Sequence, residues 1–254
     1  MSMRLLLDLY VAAVGLVIGS YLNVVIHRLP REESTVLPRS RCPRCGAPLR
    51  ARDNLPLVSF LLLRGRCRQC QAPISWRYPL VEAGTGLLCA LVVVAKGADE
   101  DAILGLVLVL LLVPITLIDL DYQIIPNKIT YPGVVVGIAI VALTDLSSLD
   151  ENLIAAFIAG GFLFVAWFLR PGGMGLGDVK LAFMLGIYLG RAVAPAMFAA
   201  LISGSLIGAV IIARYGAAKG RKMKIPFGPY LALGGIVGLF AGDEIVEWYL
   251  DSFT

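Results

Sequence analysis

The stretch GGMGLGDVK, residues 172–180, places an aspartate directly after a glycine-rich turn and at the start of an apolar segment. An ionisable side chain at membrane depth is costly, so such a residue is a functional candidate. The comparable feature is Asp119, in the run LIDLDYQIIPN (residues 117–127), where another apolar stretch ends. Asp119 and Asp178 therefore stand at the boundaries of two separate apolar segments. The sequence predicts that they form a functional pair, which the other segments hold and orient.

Composition indicates a membrane protein. Of the 254 residues, 58% are hydrophobic and 16% are charged, whereas soluble domains average about 25% charged residues. The sequence predicts an all-α polytopic membrane protein with about eight transmembrane helices. The first apolar run is about 20 residues long and lacks a small-x-small cleavage site, which favours an uncleaved helix over a signal peptide. The apolar segments lie near residues 5–26, 79–96, 102–119, 130–144, 153–169, 179–190, 192–213 and 229–247.

Eight spans would alternate the connecting loops between the two sides of the membrane. One side receives the loops 27–78, 120–129, 170–178 and 214–228, and with their helix ends these hold all but three of the 22 lysines and arginines. The three exceptions are Arg4, Lys96 and Arg191. By the positive-inside rule the basic side is cytoplasmic and both termini face outward. The sixth and eighth spans are short and glycine-rich, and a re-entrant segment at either would move the C-terminus to the other side.

Two cysteine pairs lie in the loop between the first two helices. Cys42-Pro-Arg-Cys45 and Cys67-Arg-Gln-Cys70 are separated by 21 residues, which is close to the spacing of four-cysteine zinc ribbons. A loop of this size needs a bound metal or a cross-link to fold stably. We therefore expect a small cytoplasmic zinc-ribbon-like domain. Two disulfides or redox pairs are the alternative, which a cytoplasmic location disfavours. The fifth cysteine, Cys89, is expected to be a packing residue in a helix.

Other residues of this region carry weaker signals. Leu55, Leu57 and Phe60 lie between the cysteine pairs and are expected to form short strands that close the ribbon. Asn23 is expected to bond a neighbouring helix. Glu82 lies about one turn inside the second helix and either pairs with an arginine of the loop or serves the active site.

The residues next to Asp119 and Asp178 indicate how each aspartate is placed. If a helix continues through Asp119 and Asp121, the two side chains differ by about 200° of rotation, so only one faces the interior. Asp178 could be a helix N-cap, but that role leaves the four glycines before it unexplained. Glycine permits backbone conformations and close approaches that other residues forbid. The predicted active-site loop includes Gly175, Gly177 and Lys180.

The inventory of side chains limits the chemistry. His27 is the chain's one histidine, which disfavours Ser-His-Asp, Cys-His and histidine-ligated zinc sites. The sequence has no Walker-type or dinucleotide-binding glycine loop. Two adjacent carboxylates share one proton, so one can accept a proton from water while the other polarises a peptide carbonyl. The pair therefore predicts an aspartyl protease, with the base and the acid left unassigned.

At these residues the chain resembles the bacterial prepilin peptidases, which are GxGD membrane aspartyl proteases. The family places its first catalytic aspartate seven residues before the proline of an (I/L)P(N/D) motif, which corresponds to Asp119, and the second corresponds to Asp178 of GLGD. The resemblance spans nearly the whole chain. The blocks that carry it, in family order, are GSYLNVVIHRLP, RSRCPRCGAPL, RGRCRQC, RYPLVE, IDLDYQIIPN, GLGDVKLAFMLG and PFGPYLALGG.

The resemblance implies cleavage of a short basic leader after a glycine, at the cytoplasmic face of the bacterial inner membrane. It further implies methylation of the new N-terminus with S-adenosylmethionine, whose site no motif marks. The implied partners are type IV prepilins or type II pseudopilins together with membrane lipid, and no nucleic acid. Family members without the cysteines occur, which implies that Zn²⁺ is structural. The expected divisions are residues 1–26 as the first helix, 27–78 as the zinc-binding loop and 79–254 as the protease core.

Three other functions remain possible from the residues. A presenilin-like protease would cut within a substrate's membrane helix. A proton- or cation-coupled transporter could use the same aspartates, although both lie near the cytoplasmic ends and no inverted repeat is apparent. A membrane scaffold with a zinc-ribbon adaptor would leave the aspartate pair unexplained. The oligomeric state and the pilus, secretion or DNA-uptake system are left open.

Overall fold

The computed structural model of the chain describes residues 3–97, 99–170, 172–217 and 223–252. These residues form α-helices joined by turns and short 3₁₀ helices, with two isolated β-bridges in the cysteine loop. The basic residues Lys219, Arg221 and Lys222 lie outside the described residues. The helices are α1 (Met3–Arg28), α2 (Val58–Leu62), α3 (Arg77–Lys96), α4 (Glu100–Tyr122), α5 (Asn127–Thr144), α6 (Leu149–Leu169), α7 (Leu176–Leu189), α8 (Val193–Tyr215) and α9 (Gly228–Asp251).

Seven helical segments in the described residues are long and apolar enough to cross a membrane, which confirms the all-α, multi-pass prediction. One of them, Leu176–Tyr215, is interrupted by the 3₁₀ turn Gly190–Ala192. Gly190 has a φ of +51°, which favours glycine and breaks the helical path. The break leaves α7 with 14 residues, or about 21 Å at 1.5 Å per residue, which is shorter than a hydrocarbon core of roughly 30 Å.

The chain divides into two compact units, Met1–Ala102 and Ile103–Thr254. In the first unit α1 packs on α3 through small residues. A Cβ at Gly15 would lie 3.0 Å from both the Cβ of Cys89 and the Cα of Gly86, so the glycines allow the close approach that membrane helices favour. Cys89 is 2% exposed, as expected for a packing residue. The Asn23 side chain donates to the Tyr78 carbonyl of α3 at 3.2 Å, which confirms its predicted role.

The cysteine loop of this unit is helical where short strands were expected. The residues between the two cysteine pairs form the 3₁₀ turn Ala51–Asn54 and the helix α2. The physical reason is a long-range contact: the Glu82 carboxylate, 25 positions later in the chain, accepts the N–H of Leu57 at 2.8 Å, immediately before α2 begins. Phe60 then stacks against Trp76, with ring centroids 4.8 Å apart. The strand prediction for Leu55, Leu57 and Phe60 was therefore wrong.

The second unit is built around α7. Leu181, Ala182 and other residues of α7 are buried, and a Cβ at Gly186 would overlap the backbone of Ala156 in α6. Polar contacts also fix the helix: Tyr188 donates its hydroxyl to the Gly133 carbonyl of α5, and Asn152 of α6 donates to the Ile187 carbonyl, both at 2.8 Å. The neighbouring helices therefore hold α7 firmly, and its N-terminal turn lies within this unit.

Candidate functional site

Asp119 lies in the last turn of α4. The helix ends at Tyr122, and Gln123 follows in a left-handed conformation with a φ of +55°, donating its N–H to the Asp119 carbonyl at 2.9 Å. Asp119 is 4% exposed, whereas Asp121 lies on the surface. The rotation per residue in an α-helix separates the two side chains in this way, so Asp119 is the inward member of the DxD sequence.

The backbone of Gly228 holds the Asp119 carboxylate. The Gly228 N–H donates to Oδ2 of Asp119 at 2.9 Å, across 109 positions of sequence. Gly228 is the first residue of α9, and the first N–H groups of a helix have no partner within the helix and carry partial positive charge. A Cβ at this position would lie 2.6 Å from the same oxygen. A side chain at position 228 would therefore displace the Asp119 carboxylate.

Sequence reasoning missed Gly228. The segment PFGPYLALGG (226–235) was quoted only as one block of the family resemblance. The available signal was glycine followed by Pro229 at the start of an apolar segment, because proline in the first turn marks a helix N-terminus. The first residue of a helix offers an unpaired backbone N–H, but the neighbouring sequence does not indicate which acceptor this N–H contacts.

Asp178 lies in the first turn of α7, and its carboxylate accepts the backbone N–H of the residue that precedes the helix. Its Oδ2 accepts the Gly175 N–H at 3.1 Å, while its own N–H donates to the Gly175 carbonyl at 3.2 Å. The N-cap residue is thus Gly175, and the N-cap interpretation of Asp178 is corrected to the third helical position. Asp178 is 7% exposed. Asp119 and Asp178 are consequently both buried, and each accepts one backbone N–H through one oxygen.

The loop around Asp178 packs against the segment that follows Asp119. A Cβ at Gly177 would lie 2.9 Å from the Cβ of Ile125, so this glycine permits the approach. Lys180 donates to Oδ1 of Asn127 at 2.9 Å, and its ammonium lies 5.0 Å from the centroid of the Tyr131 ring. These contacts fix the start of α7 against the start of α5. They bring the GLGD and IIPN motifs together. Of the residues predicted for an active-site loop, Gly175 lies at the N-cap of α7, whereas Gly177 and Lys180 lie within the helix.

The resulting arrangement suits shared-proton chemistry. The Gly177–Ile125 and Lys180–Asn127 contacts hold the helix start that carries Asp178 against the segment that follows Asp119. In the described residues no buried side-chain oxygen lacks a partner, so the second oxygen of each carboxyl group is accessible to solvent or substrate. Two such groups can hold one proton between them and orient a water molecule.

The four cysteines of the loop converge in the first unit. The sulfur atoms of Cys42, Cys45, Cys67 and Cys70 all lie within 4.8 Å of one another, and the Cys42 and Cys70 sulfurs are 3.8 Å apart. A tetrahedral zinc ion with Zn–S bonds of about 2.3 Å places its sulfur ligands about 3.8 Å apart. The cluster therefore has the dimensions of a four-thiolate metal site.

The two cysteine pairs have the same backbone structure. Cys42 N–H donates to the Ala47 carbonyl at 2.9 Å, and Cys67 N–H donates to the Ala72 carbonyl at 2.8 Å. The bridges Arg41–Pro48 and Arg66–Pro73 close the two turns. Backbone N–H groups of Cys45 and Arg44 lower the pKa of the Cys42 thiol to about 6, and the thiolate is the form that binds metal. All four side chains are free thiols, so the cluster fits the zinc-ribbon-like prediction.

A multi-pass helical bundle with two buried aspartates in one unit and a four-cysteine loop in the other is the arrangement expected of a membrane aspartyl peptidase. Residues 13–96 match the bacterial peptidase A24 N-terminal domain. Residues 106–213 match the type IV leader peptidase family. The chain belongs to the type IV leader peptidase family, and the resemblance found in the sequence is confirmed.

Curated relatives cover nearly the whole chain. A protein from Aeromonas hydrophila is 39% identical over 94% of this chain and 92% of its own length. A protein from Pseudomonas aeruginosa is 36% identical over 93% of this chain and 91% of its own length. A third, from Neisseria gonorrhoeae, is 35% identical over 94% and 93%. All three are named prepilin leader peptidase/N-methyltransferase. No solved structure matches the chain.

The contact between Gly228 and Asp119 predicts the effect of one methyl group. Gly228→Ala should reduce peptidase activity about 100-fold, because the added Cβ displaces the carboxylate, and small displacements of catalytic groups cost about that factor. The rate is measured with a purified prepilin substrate in detergent, by mass spectrometry of the products.

Gly208→Ala is the matched control, since a Cβ at Gly208 would have no atom within 4 Å. It should retain wild-type activity. Full activity in a folded Gly228→Ala variant would remove Gly228 from the site.

Proposed function

We propose that this chain removes the leader peptide from type IV prepilins or type II pseudopilins, after a glycine, and then methylates the new N-terminus. The observation that carries the proposal is the pair of buried carboxylates, Asp119 and Asp178, each oriented by a backbone N–H at a helix end. Membership of the type IV leader peptidase family supports it. The curated relatives, whose names state both activities, support it as well.

The proposed peptidase mechanism uses no covalent intermediate. Asp119 and Asp178 share one proton, the ionised member takes a proton from a water molecule, and the resulting nucleophile adds to the peptide carbonyl. The protonated member donates to the carbonyl oxygen and stabilises the charge that develops there. The carboxyl group that took the proton from water then gives it to the amide nitrogen, and collapse of the tetrahedral species breaks the C–N bond and releases the leader with a free carboxyl group. The fixed backbone N–H contacts keep both carboxyl groups oriented through these steps.

We further propose that the active site faces the cytoplasm from the bacterial inner membrane. The basic bias of the loops supports this orientation, because all but Arg4, Lys96 and Arg191 of the 22 lysines and arginines fall on that side. Residues 27–78 would then form a cytoplasmic metal-binding loop after the first helix (1–26), and residues 79–254 the protease core. The matched family and relatives are peptidases, which leaves the transporter hypothesis without support.

Replacement by asparagine distinguishes the proposed catalytic pair, Asp119 and Asp178, from the neighbouring Asp121. Asp119→Asn and Asp178→Asn should each lower prepilin cleavage about 1,000-fold or more, because an amide cannot exchange the shared proton. Each amide can still accept the backbone N–H, so the fold should persist. Cleavage is followed by mass spectrometry of the leader and the mature product.

Asp121→Asn is the matched control, since this side chain lies on the surface two positions away. It should cleave at the wild-type rate. Wild-type cleavage by either Asp119→Asn or Asp178→Asn would end the two-aspartate mechanism.

The proposed cofactors are structural Zn²⁺ at the four cysteines and S-adenosylmethionine as the methyl donor. The purified protein should contain about one zinc ion per chain, and Cys70→Ser should lower this content below about half, because one ligand of the tetrahedral set is lost. Cys89→Ser should retain the metal, since Cys89 is buried in α3 away from the cluster. Zinc content is measured by elemental mass spectrometry. Equal zinc in wild type and Cys70→Ser would argue against the site.

A further inference from the structure

The short helix α2 of the first unit has an exposed apolar face. Leu61 and Leu62 follow Val58 by three and four positions, so the three side chains share one side of the helix. Leu61 is 70% exposed, Leu62 is 76% exposed, and Val58 is exposed as well. Adjacent exposed side chains of this kind mark an interaction surface. Neither the proposed peptidase chemistry nor the cysteine cluster uses the apolar face of α2.

Two contacts place α2 beside the first turns of α3. The Glu82 carboxylate accepts the Leu57 N–H at 2.8 Å, directly before α2. Phe60 stacks on Trp76, the residue directly before α3, with ring centroids 4.8 Å apart. Among the described residues the partner of Glu82 is thus a backbone N–H, and the arginine pairing expected from sequence is corrected. Because helix side chains lean toward the N-terminus, both contacts fall within the first two turns of α3.

These turns of α3 lie at the edge of the membrane. The 20 residues of α3 are apolar enough to cross it, and at 1.5 Å per residue they measure about 30 Å, which only just equals the hydrocarbon thickness. The exposed side of α3 is an apolar stripe at helical spacing, formed by Leu80, Leu87, Leu91 and Val94. Trp76 is exposed one turn before Leu80, and tryptophan is enriched at membrane interfaces. The lipid-facing stripe therefore reaches the residue on which α2 packs.

Arginines flank the apolar face of α2. Arg52 precedes the helix, Arg64 and Arg66 follow it, and all three are exposed. The acidic residue between them in sequence, Asp53, is paired with Arg68 at 2.6 Å. Arginine side chains can lie along acyl chains while their guanidinium groups reach the lipid phosphates. An apolar face bordered by arginines is typical of a helix that lies in the plane of an anionic membrane surface.

We propose that the apolar face of α2 enters the membrane interface beside α3, and that the flanking arginines bind anionic lipid headgroups. The occupant of this surface is the lipid leaflet at which α3 begins, because the surface continues the lipid-facing stripe of α3 and carries the complementary charge. The cysteine loop is thereby held to the membrane at a third point, between its two cysteine pairs, in addition to its connections to α1 and α3. This placement follows from the multi-pass fold and does not depend on the proposed reaction.

Depth-dependent fluorescence quenching tests the placement of α2. Full-length protein carries Leu62→Trp together with Trp76→Phe, Trp167→Phe and Trp248→Phe, so that position 62 holds the one tryptophan. It is reconstituted in vesicles of phosphatidylglycerol and phosphatidylethanolamine. Lipid brominated at the headgroup end of its acyl chains should quench this protein about threefold or more above the control below, because an interfacial helix lies at that depth. Aqueous iodide should quench it correspondingly less.

Gln69→Trp in the same tryptophan-free background is the matched control. Gln69 is exposed in the turn of the second cysteine pair, and the bridge between Arg66 and Pro73 separates this turn from α2. Its tryptophan should therefore be open to iodide and little affected by brominated lipid. Equal quenching of the two variants by brominated lipid, or by iodide, would overturn the proposal.

Wild-type protein gives a reading that does not depend on how the variants fold. Trypsin cleaves after Arg52 and Arg64, so the apolar face of α2 lies within one peptide, residues 53–64. Phosphatidylglycerol with a photoreactive group just below its headgroup should label this peptide in vesicles. The matching phosphatidylcholine should label it about threefold less, because its headgroup carries no net charge for the arginines to attract. An unlabelled peptide, or equal labelling by the two lipids, would overturn the proposal.

Other occupants of the apolar face give different outcomes. Shielding of the Leu62→Trp variant from iodide only after addition of a purified prepilin would assign the face to a polypeptide. Shielding that is lost when the protein is diluted with excess lipid would assign it to a second copy of this chain. Either result would overturn the membrane assignment.

Discussion

The burial of two carboxylates, each against a single backbone N–H at a helix start, is the constraint on which the second unit depends. Asp119 accepts from Gly228 at the start of α9, and Asp178 accepts from Gly175 at the start of α7. Helix starts present unpaired N–H groups with partial positive charge, so they stabilise a carboxylate without a cationic side chain. This matters for the proposed catalysis, because an arginine or lysine at the same place would hold both aspartates ionised and prevent them from sharing a proton.

The glycines of the site follow from the same constraint. Gly228 approaches Asp119 so closely that a Cβ would overlap the carboxylate, and Gly177 approaches Ile125 nearly as closely. The shortness of α7 serves the same arrangement. A helix of 14 residues can begin inside the unit rather than at its surface. The Lys180–Asn127 contact then ties that helix start to α5. Close backbone approach, more than any single side-chain contact, brings the two motifs together.

Much of this could be predicted from sequence because the signals are local. Apolar runs of about 20 residues indicate membrane helices, and the spacing of Cys42, Cys45, Cys67 and Cys70 indicates a metal site. The inward orientation of Asp119 over Asp121 follows from helical rotation together with the family motif. What could not be predicted depends on distant pairing. Gly228 meets Asp119 across 109 positions, and the start of α2 after Leu57 depends on Glu82, which lies 25 positions later in the chain than Leu57.

The central claim is that Asp119 and Asp178 face each other as one unit. Cross-linking tests it most directly: an Asp119→Cys/Asp178→Cys variant, in a Cys89→Ser background with zinc bound to the loop, is treated with a short bifunctional thiol reagent and mapped by mass spectrometry. The account predicts an intramolecular link between the two introduced cysteines and little or none in Asp121→Cys/Asp178→Cys. Equal linkage in the two variants, or no link between positions 119 and 178, would contradict it.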